Sequence, residues 1–143
     1  MLYRVTVQIF TQNRKQLTTS KQLQIGIVGA GTAGLATAIA FARQGHHVQV
    51  FEKHRALATL GAGLLIQPQG GAALNVLGVG ETFESLSVPI NHLLGKNQRN
   101  WKIVDVPYQR HEARAISRAA LAQLLLNAAT DVGADIRFDC CVD

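Results

Sequence analysis

Residues 23–53 read LQIGIVGAGTAGLATAIAFARQGHHVQVFEK, and this stretch decides the fold. The apolar run 23–28 has the composition of a buried parallel strand. Three glycines follow it at G-x-G-x-x-G spacing. Residues 35–43 then carry apolar side chains at three-and-four spacing, which predicts a helix that ends at Gly45. Together with a second strand predicted over 47–51, this order indicates a βαβ unit that binds a dinucleotide.

Each glycine of the fingerprint has a separate physical role. Gly29 makes the tight turn, Gly31 lets the backbone approach a pyrophosphate, and Gly34 allows helix and strand to pack closely. The unpaired N–H groups and the positive dipole end of the following helix suit an anion. Glu52 ends the second strand, 18 residues after Gly34, at the position where a carboxylate can bond ribose hydroxyls. An acid at this position argues against NADP, whose ribose carries a phosphate. On these residues NAD and FAD both remain open, as does a glycine turn that binds nothing.

Three separated blocks carry a further resemblance. They are GAGTAGLATAIAFARQGHHVQVFEK (29–53), GAGLLIQPQGGAALNVLGV (61–79) and ISRAALAQLLLNAA (116–129). In that order they resemble the N-terminal portion of the class A FAD-dependent aromatic-ring monooxygenases, including the salicylate-hydroxylase-like enzymes. The resemblance covers about residues 23–142 and implies that the nucleotide is FAD. For a complete family member it also implies NADH or NADPH as a transient electron donor, dioxygen as oxidant and a small aromatic substrate.

The resemblance also assigns cofactor contacts to individual positions. These are Gly29, Gly31, Gly34, Glu52, Lys53, Arg118 and Val142. The glycines would hold the pyrophosphate, and Glu52 with Lys53 would lie at the adenosine ribose. Arg118 would reach the phosphate and ribityl region, where a guanidinium can donate two hydrogen bonds to phosphate oxygens. The alternative is that Arg118 is an exposed helix residue without this role. Val142, at the end of a predicted third strand, matches the position where the family's chain runs beside the adenine. Gln67 is either a substrate-facing group or an exposed helix start, and no catalytic side chain is assigned because the cofactor carries the chemistry.

The rest of the chain predicts further helices and strands. These are an apolar stretch 61–66, helices 68–77, 81–86 and 118–132 with Ser117 as N-cap, a hairpin of strands 90–94 and 101–106, and a third strand 136–140. We therefore expect an α/β fold, a Rossmann-like FAD-binding βαβ unit with an inserted β-hairpin. It is expected to be incomplete relative to the family, because the family's later D-G and G-D motifs do not occur in these 143 residues. A truncated, non-catalytic fragment with weak or no FAD binding, and another FAD- or NAD-linked oxidoreductase, are the alternatives.

Composition restricts the remaining classes of function. The net charge is +5, but the basic residues are scattered and aromatics are only 6%, so no nucleic-acid partner is expected. No acidic residue precedes Glu52, an asymmetry that favours a bound pyrophosphate. No apolar run approaches the roughly 20 residues of a membrane span. The adjacent Cys140 and Cys141 suit neither a disulfide nor a zinc site, and we expect a cytoplasmic protein.

The N-terminal residues 1–21 are expected to be an extension or linker, and residues 22–143 the N-terminal part of the FAD-binding domain. Residues 3–9 alternate between apolar and polar side chains, which predicts a half-buried strand or a disordered tail. The polar run that follows is typical of a linker, with a transit peptide or an added start as alternatives. His54, His92 and His111 are isolated, and the adjacent His46 and His47 point to opposite sides of a strand entry, so no metal or catalytic role is expected for the histidines.

Overall fold

The structure, a computed structural model, describes residues 7–10, 21–57, 63–108 and 113–142. The chain divides into two units, Met1–Thr59 with Ala122–Asp143, and Leu60–Leu121. The elements are, in chain order, β1 (Val7–Phe10), β2 (Gln24–Val28), α1 (Thr32–Arg43), β3 (His47–Phe51), β4 (Gly63–Ile66), α2 (Pro68–Val76), α3 (Gly80–Leu86), β5 (Val88–Ile90), β6 (His92–Lys96), β7 (Lys102–Pro107), β8 (Ala113–Ser117), α4 (Arg118–Asp131) and β9 (Asp135–Arg137). Within the described ranges, no helix has the length and apolar character needed to cross a membrane.

The first unit is built on a four-stranded sheet with the order β1–β2–β3–β9. Strands β2 and β3 are parallel, with Gln24 beside His47 and Val28 beside Phe51, and β3 is in turn parallel to β9. Helix α1 connects β2 to β3 and packs against both strands. The expected βαβ unit is therefore present, and Gly45, with φ +82°, follows the end of its helix as predicted.

The core of this unit follows from the periodicity of its sequence. Alternate residues of a strand face the same side, so Ile25 and Ile27 of β2 are buried together, as are Val48 and Val50 of β3. In α1 the buried side chains fall at helical spacing. These residues are Gly34, Leu35, Ala38 and Ile39. Burial of the apolar faces of both strands and of the helix holds the glycine turn between them in place.

The second unit contains a three-stranded antiparallel sheet, β4–β8–β5, and a separate hairpin of β6 and β7. Its central strand β8 was not predicted, since only Ser117 at its end was assigned a role, that of a helix cap. The expected strand over 90–94 is also divided: Ile90 ends β5, which pairs with β8, and β6 begins at His92. Arg114 of β8 donates three hydrogen bonds to Ser87 and to the carbonyl oxygen of Glu84, which ties the strand to the end of α3.

The predicted end of the third strand is wrong. We expected a strand over 136–140, but β9 ends at Arg137 because Asp139 adopts a left-handed backbone with φ +56°. Val142 is consequently not at a strand end, and Cys140 and Cys141 are free thiols beyond the strand. At the other end of the α4–β9 segment, Ser117 accepts a hydrogen bond of 3.1 Å from the N–H of Ala120 and caps α4 as predicted.

The N-terminal strand expected over 3–9 is described for residues 7–10. This strand, β1, pairs antiparallel with β2, with Val7 beside Ile27 and Phe10 beside Gln24. Residues 1–6 and 11–20 lie outside the described part of the chain, as do residues 61–62 of the predicted apolar stretch. The linker assignment of residues 1–21 therefore stays a prediction.

Candidate dinucleotide site

The fingerprint glycines occupy the turn between β2 and α1. Gly29 has φ +100°, a conformation that L side chains rarely adopt. A Cβ on Gly34 would lie 1.9 Å from the carbonyl oxygen of Gly29, so only glycine fits this contact between helix and turn. A Cβ on Gly31, by contrast, would meet nothing within 4 Å. The fold itself requires Gly29 and Gly34, whereas Gly31 leaves an open surface at the start of the helix.

The first turn of α1 presents backbone donors to this open surface. Gly31 is the N-cap residue and makes no side-chain cap hydrogen bond, and the first turn holds no acidic residue. The N–H of Leu35 is bonded to the carbonyl of Gly31, but the N–H groups that precede it in a helix have no intrahelical acceptor. Together with the positive end of the helix dipole, these donors form a site suited to phosphate oxygens.

Glu52 follows β3, and its carboxylate is fixed against the glycine turn. Oε2 accepts a hydrogen bond of 2.8 Å from the N–H of Ala30. Oε1 accepts one of 2.9 Å from the N–H of His54 and lies 2.6 Å from Nδ1 of the same residue. The side chain of Glu52 is only 12% exposed. The acid that the fingerprint requires therefore points toward the turn between Gly29 and Gly34, and not away from it.

The charge on this carboxylate is stabilised by its hydrogen bonds. Burial raises the pKa of Glu52, but the N–H groups of His54 and Ala30 and the imidazole of His54 together lower that pKa below its ordinary value. The side chain is therefore an anion at neutral pH and acts only as an acceptor. Because a carboxylate oxygen can accept two hydrogen bonds, Oε2 keeps one position for a further donor.

The chain after β9 runs beside Glu52 and fixes its backbone. The N–H of Glu52 donates to the carbonyl of Arg137 at 2.8 Å, and its carbonyl accepts from the N–H of Cys140 at 2.9 Å. Val142 lies two residues beyond Cys140 and is 48% exposed. Val142 is therefore in the segment that adjoins Glu52, although it does not end a strand as expected.

The other predicted site residues fall in different places. Lys53 is exposed beside Glu52 in the first unit. Arg118 is the exposed first residue of α4 and belongs to the second unit, as does Gln67, which precedes α2. The Oε1 atom of Gln67 accepts a hydrogen bond of 2.9 Å from the hydroxyl of Tyr108. Within the first unit the structure brings together the three glycines and Glu52, with Lys53 beside them.

The sequence reasoning missed His54 as part of this site. We expected an isolated histidine, but its N–H and imidazole both contact Glu52. Its position two residues after the fingerprint acid was the available signal, because a residue so close in the chain can reach back to the carboxylate. No group of three His, Cys, Asp or Glu side chains that could hold a metal occurs in the part of the chain that the structure describes.

Comparison with known protein families gives one match that covers most of the chain. The model described as "FAD binding domain" matches residues 22–142. Among similar proteins, 3-hydroxybenzoate 6-hydroxylase of Klebsiella oxytoca is 39% identical over 74 residues, which are 52% of this chain and 19% of that protein. Phenazine 1,6-dicarboxylic acid hydroxylase of Lysobacter antibioticus is 35% identical over 130 residues, 83% of this chain and 31% of that protein. Salicylate hydroxylase of Pseudomonas putida is 42% identical over 62 residues, 43% of this chain and 14% of that protein.

Solved structures show the same likeness. A variant of 2-methyl-3-hydroxypyridine-5-carboxylic acid oxygenase superposes with a TM-score of 0.74 at 27% identity, over 83% of this chain and 32% of that protein. CtdE in complex with FAD gives a TM-score of 0.64 at 26% identity, over 83% of this chain and 30% of that protein. The chain thus spans no more than about a third of the length of the relatives it matches.

Proposed function

Because this chain belongs to the FAD-binding domain family of the class A aromatic-ring monooxygenases, we propose that residues 22–143 hold FAD in an enzyme that hydroxylates a small aromatic substrate. FAD is the cofactor of this family. The observation that carries the proposal is the Glu52 carboxylate, which is held 2.8 Å from the N–H of Ala30 beside an uncapped helix start. The N–H groups of the turn suit the pyrophosphate of FAD, and the nearby carboxylate suits the hydroxyl groups of its adenosine ribose.

The residues of this chain divide the binding of FAD between them. The backbone around Gly31 and the first turn of α1 would bind the pyrophosphate, since an open surface there lets phosphate oxygens reach the N–H groups. Glu52 would accept hydrogen bonds from the adenosine ribose, with Lys53 beside it. Val142 would lie along the adenine, and Arg118 would bind the phosphate and ribityl region with its guanidinium.

The bound FAD supplies the redox chemistry, which takes electrons from NADH or NADPH and uses dioxygen to hydroxylate an aromatic ring. We propose a small aromatic substrate because the similar proteins are named as hydroxylases of 3-hydroxybenzoate, salicylate and a phenazine dicarboxylic acid. In this proposal the sheet β1–β2–β3–β9 is the Rossmann-like part, and the hairpin of β6 and β7 is its insertion.

Titration of the purified 143-residue chain with FAD tests the proposal, with quenching of flavin fluorescence as the signal. The substitution E52Q replaces one carboxylate oxygen by an NH₂ group that cannot accept a ribose hydrogen bond. Since hydrogen bonds to charged groups contribute about 1.5–3 kcal/mol, FAD affinity should fall roughly 10- to 100-fold. The matched control is E81Q, which removes an exposed carboxylate in the first turn of α3 and should leave FAD affinity unchanged.

Two results would contradict the proposal. A wild-type chain that quenches no flavin fluorescence at any FAD concentration lacks the site altogether. An E52Q variant that binds FAD as tightly as the wild type would show that the ribose does not meet Glu52. Competition with NAD⁺ distinguishes an FAD site from an NAD site, because an NAD-binding domain would release FAD at low NAD⁺ concentrations.

A further inference from the structure

The imidazole of His54 is a third donor on a carboxylate that two backbone N–H groups already orient. The N–H of Ala30 holds Oε2 at 2.8 Å, and the N–H of His54 holds Oε1 at 2.9 Å. The imidazole adds a contact of 2.6 Å to Oε1, although its side chain is 68% exposed while that of Glu52 is 12% exposed. The imidazole is therefore not needed to position the carboxylate, and it is the one donor of the three that a side-chain rotation can remove.

The acceptor positions of Glu52 are nearly filled by these three donors. Each carboxylate oxygen accepts two hydrogen bonds, so Oε1 is saturated by His54 and Oε2 has one position left. A ribose presents two adjacent hydroxyl groups as donors. A ribose that bonds both oxygens must therefore replace one donor on Oε1, and the backbone N–H is fixed by the chain.

We propose that His54 and a ribose hydroxyl compete for the same acceptor position on Oε1 of Glu52, so that protonation of His54 weakens nucleotide binding. This inference rests on the proposed function, because it takes Glu52 as the ribose acceptor. An imidazolium adds an attraction between opposite charges to its hydrogen bond with the carboxylate, so it holds Oε1 more strongly than a neutral imidazole does. The hydroxyl consequently displaces the neutral side chain more easily than the charged one.

Histidine is the residue type at this site that changes charge near neutral pH. The charged and titratable side chains of the described segments that adjoin His54 are Glu52, Lys53 and Arg55 on its own segment, and Asp135, Arg137, Asp139, Cys140 and Cys141 on β9 and the residues after it. The glycine turn between β2 and α1 contributes no ionisable side chain. None of these neighbouring residue types ordinarily changes charge between pH 5 and 8, whereas histidine as a residue type does. A pH dependence of binding in that range therefore reports on the histidine.

The test is a set of FAD titrations between pH 5.5 and 8.0 at constant ionic strength, with the wild type, H54N and H54A. Because the charged imidazole holds Oε1 more strongly than the neutral one, wild-type affinity should fall roughly 3- to 10-fold between pH 8.0 and 5.5. H54N keeps a donor near the position of Nδ1 but does not titrate, and H54A removes the donor. Both curves should be flat within about twofold.

A matched control exists in the second unit. His92 contacts the carboxylate of Asp105 through Nε2, so H92N removes a similar histidine–carboxylate pair from the hairpin. Its FAD affinity should follow the wild-type pH curve. A pH-dependent loss of affinity that disappears in H92N as well as in H54N would overturn the assignment to His54.

Calorimetry determines the direction of the proton transfer. Titration of FAD at pH 6.0 in two buffers of different ionisation enthalpy should show that the wild type releases a fraction of a proton on binding and H54N releases none. Proton uptake would mean that the imidazolium attracts the pyrophosphate, and it would overturn the competition. Equal pH curves for wild type and H54N would overturn this inference but leave FAD binding intact. Absence of FAD binding at every pH would overturn the proposed function first.

Discussion

One added methyl group at Gly34 or at Gly31 separates the two roles of the glycine turn. In G34A the new Cβ would lie 1.9 Å from the Gly29 carbonyl oxygen and 3.1 Å from its carbonyl carbon. In G31A the new Cβ would meet nothing within 4 Å, and the φ of −74° is open to any residue. The first change should therefore damage the fold, whereas the second should damage only the binding of the cofactor.

The magnitudes follow from these distances. Relief of the G34A clash requires helix and turn to separate by about 1 Å, because Cβ contacts under 3.0 Å do not occur. Overpacking of this kind costs about 1–3 kcal/mol of stability. We expect a cost near the upper end of this range, because the clash is with backbone atoms, which cannot rotate away. Alanine regains about 1 kcal/mol of helix propensity, which leaves a net loss near 2 kcal/mol. In G31A, alanine is a less favourable N-cap residue than glycine, which lowers the free energy of unfolding, but it also makes the unfolded chain less flexible, which raises it. The two effects nearly cancel, so the free energy of unfolding should change by less than about 1 kcal/mol.

The assays are urea denaturation followed by circular dichroism and FAD titration followed by fluorescence. G34A should unfold at clearly lower urea than the wild type. G31A should unfold near the wild-type midpoint but bind FAD roughly 10- to 100-fold more weakly, since its methyl group keeps phosphate oxygens from the N–H groups. A wild-type midpoint for G34A would show that the contact with Gly29 relaxes freely. Wild-type FAD affinity in G31A would show that the pyrophosphate does not approach Gly31.

Three further substitutions test the contacts of Arg114, Ser117 and Glu52. R114A removes three hydrogen bonds to the end of α3 and should lower the free energy of unfolding by about 2–3 kcal/mol in urea denaturation, whereas R99A on the hairpin turn should change it by less than about 1 kcal/mol. S117A removes the N-cap of α4 and should cost about 1 kcal/mol in the same assay. The pKa of Glu52 is lowered in the folded state, so its contribution to stability is complete above the ordinary glutamate pKa and is lost as pH falls through the folded value. Between pH 6 and 3 the wild type should therefore lose more stability than E52Q, and parallel curves would contradict this.

The sequence predicted the βαβ part of the first unit well because its determinants are local. Strands β2 and β3 and helix α1 lie within one continuous stretch, and their boundaries follow from apolar periodicity and from glycines at fixed spacing. The close contact that excludes a Cβ at Gly34 also follows from the fingerprint spacing, since it joins residues five positions apart. In this unit the backbone requirement and the residue type that satisfies it occur side by side in the chain.

Strand β8 could not be predicted in the same way. Ala113 to Ser117 contain good helix formers, and the residues that pair with them are far away, with Gly63 beside Ser117 and Ile90 beside Ala113. The strand forms because two distant partners supply its hydrogen bonds on both sides, which no local pattern records. The early end of β9 has a similar cause. The N–H of Asp139 bonds to the carbonyl of His54, and the left-handed turn at Asp139 is a result of the folded environment.

The acid of the site was predicted from its spacing, but the donors that hold it were not. Ala30 contributes through its backbone N–H, a group that every residue except proline carries, so this hydrogen bond cannot be predicted from the residue type. The consequence is that the carboxylate of Glu52 is oriented before any ligand binds. Because both oxygens are fixed by backbone N–H groups, nucleotide binding does not have to order this side chain, and the conformational entropy of ordering it has already been lost on folding. The same carboxylate joins the glycine turn to the end of β3. A change that loosens the turn should therefore also loosen Glu52, so that the proposed phosphate and ribose contacts depend on each other.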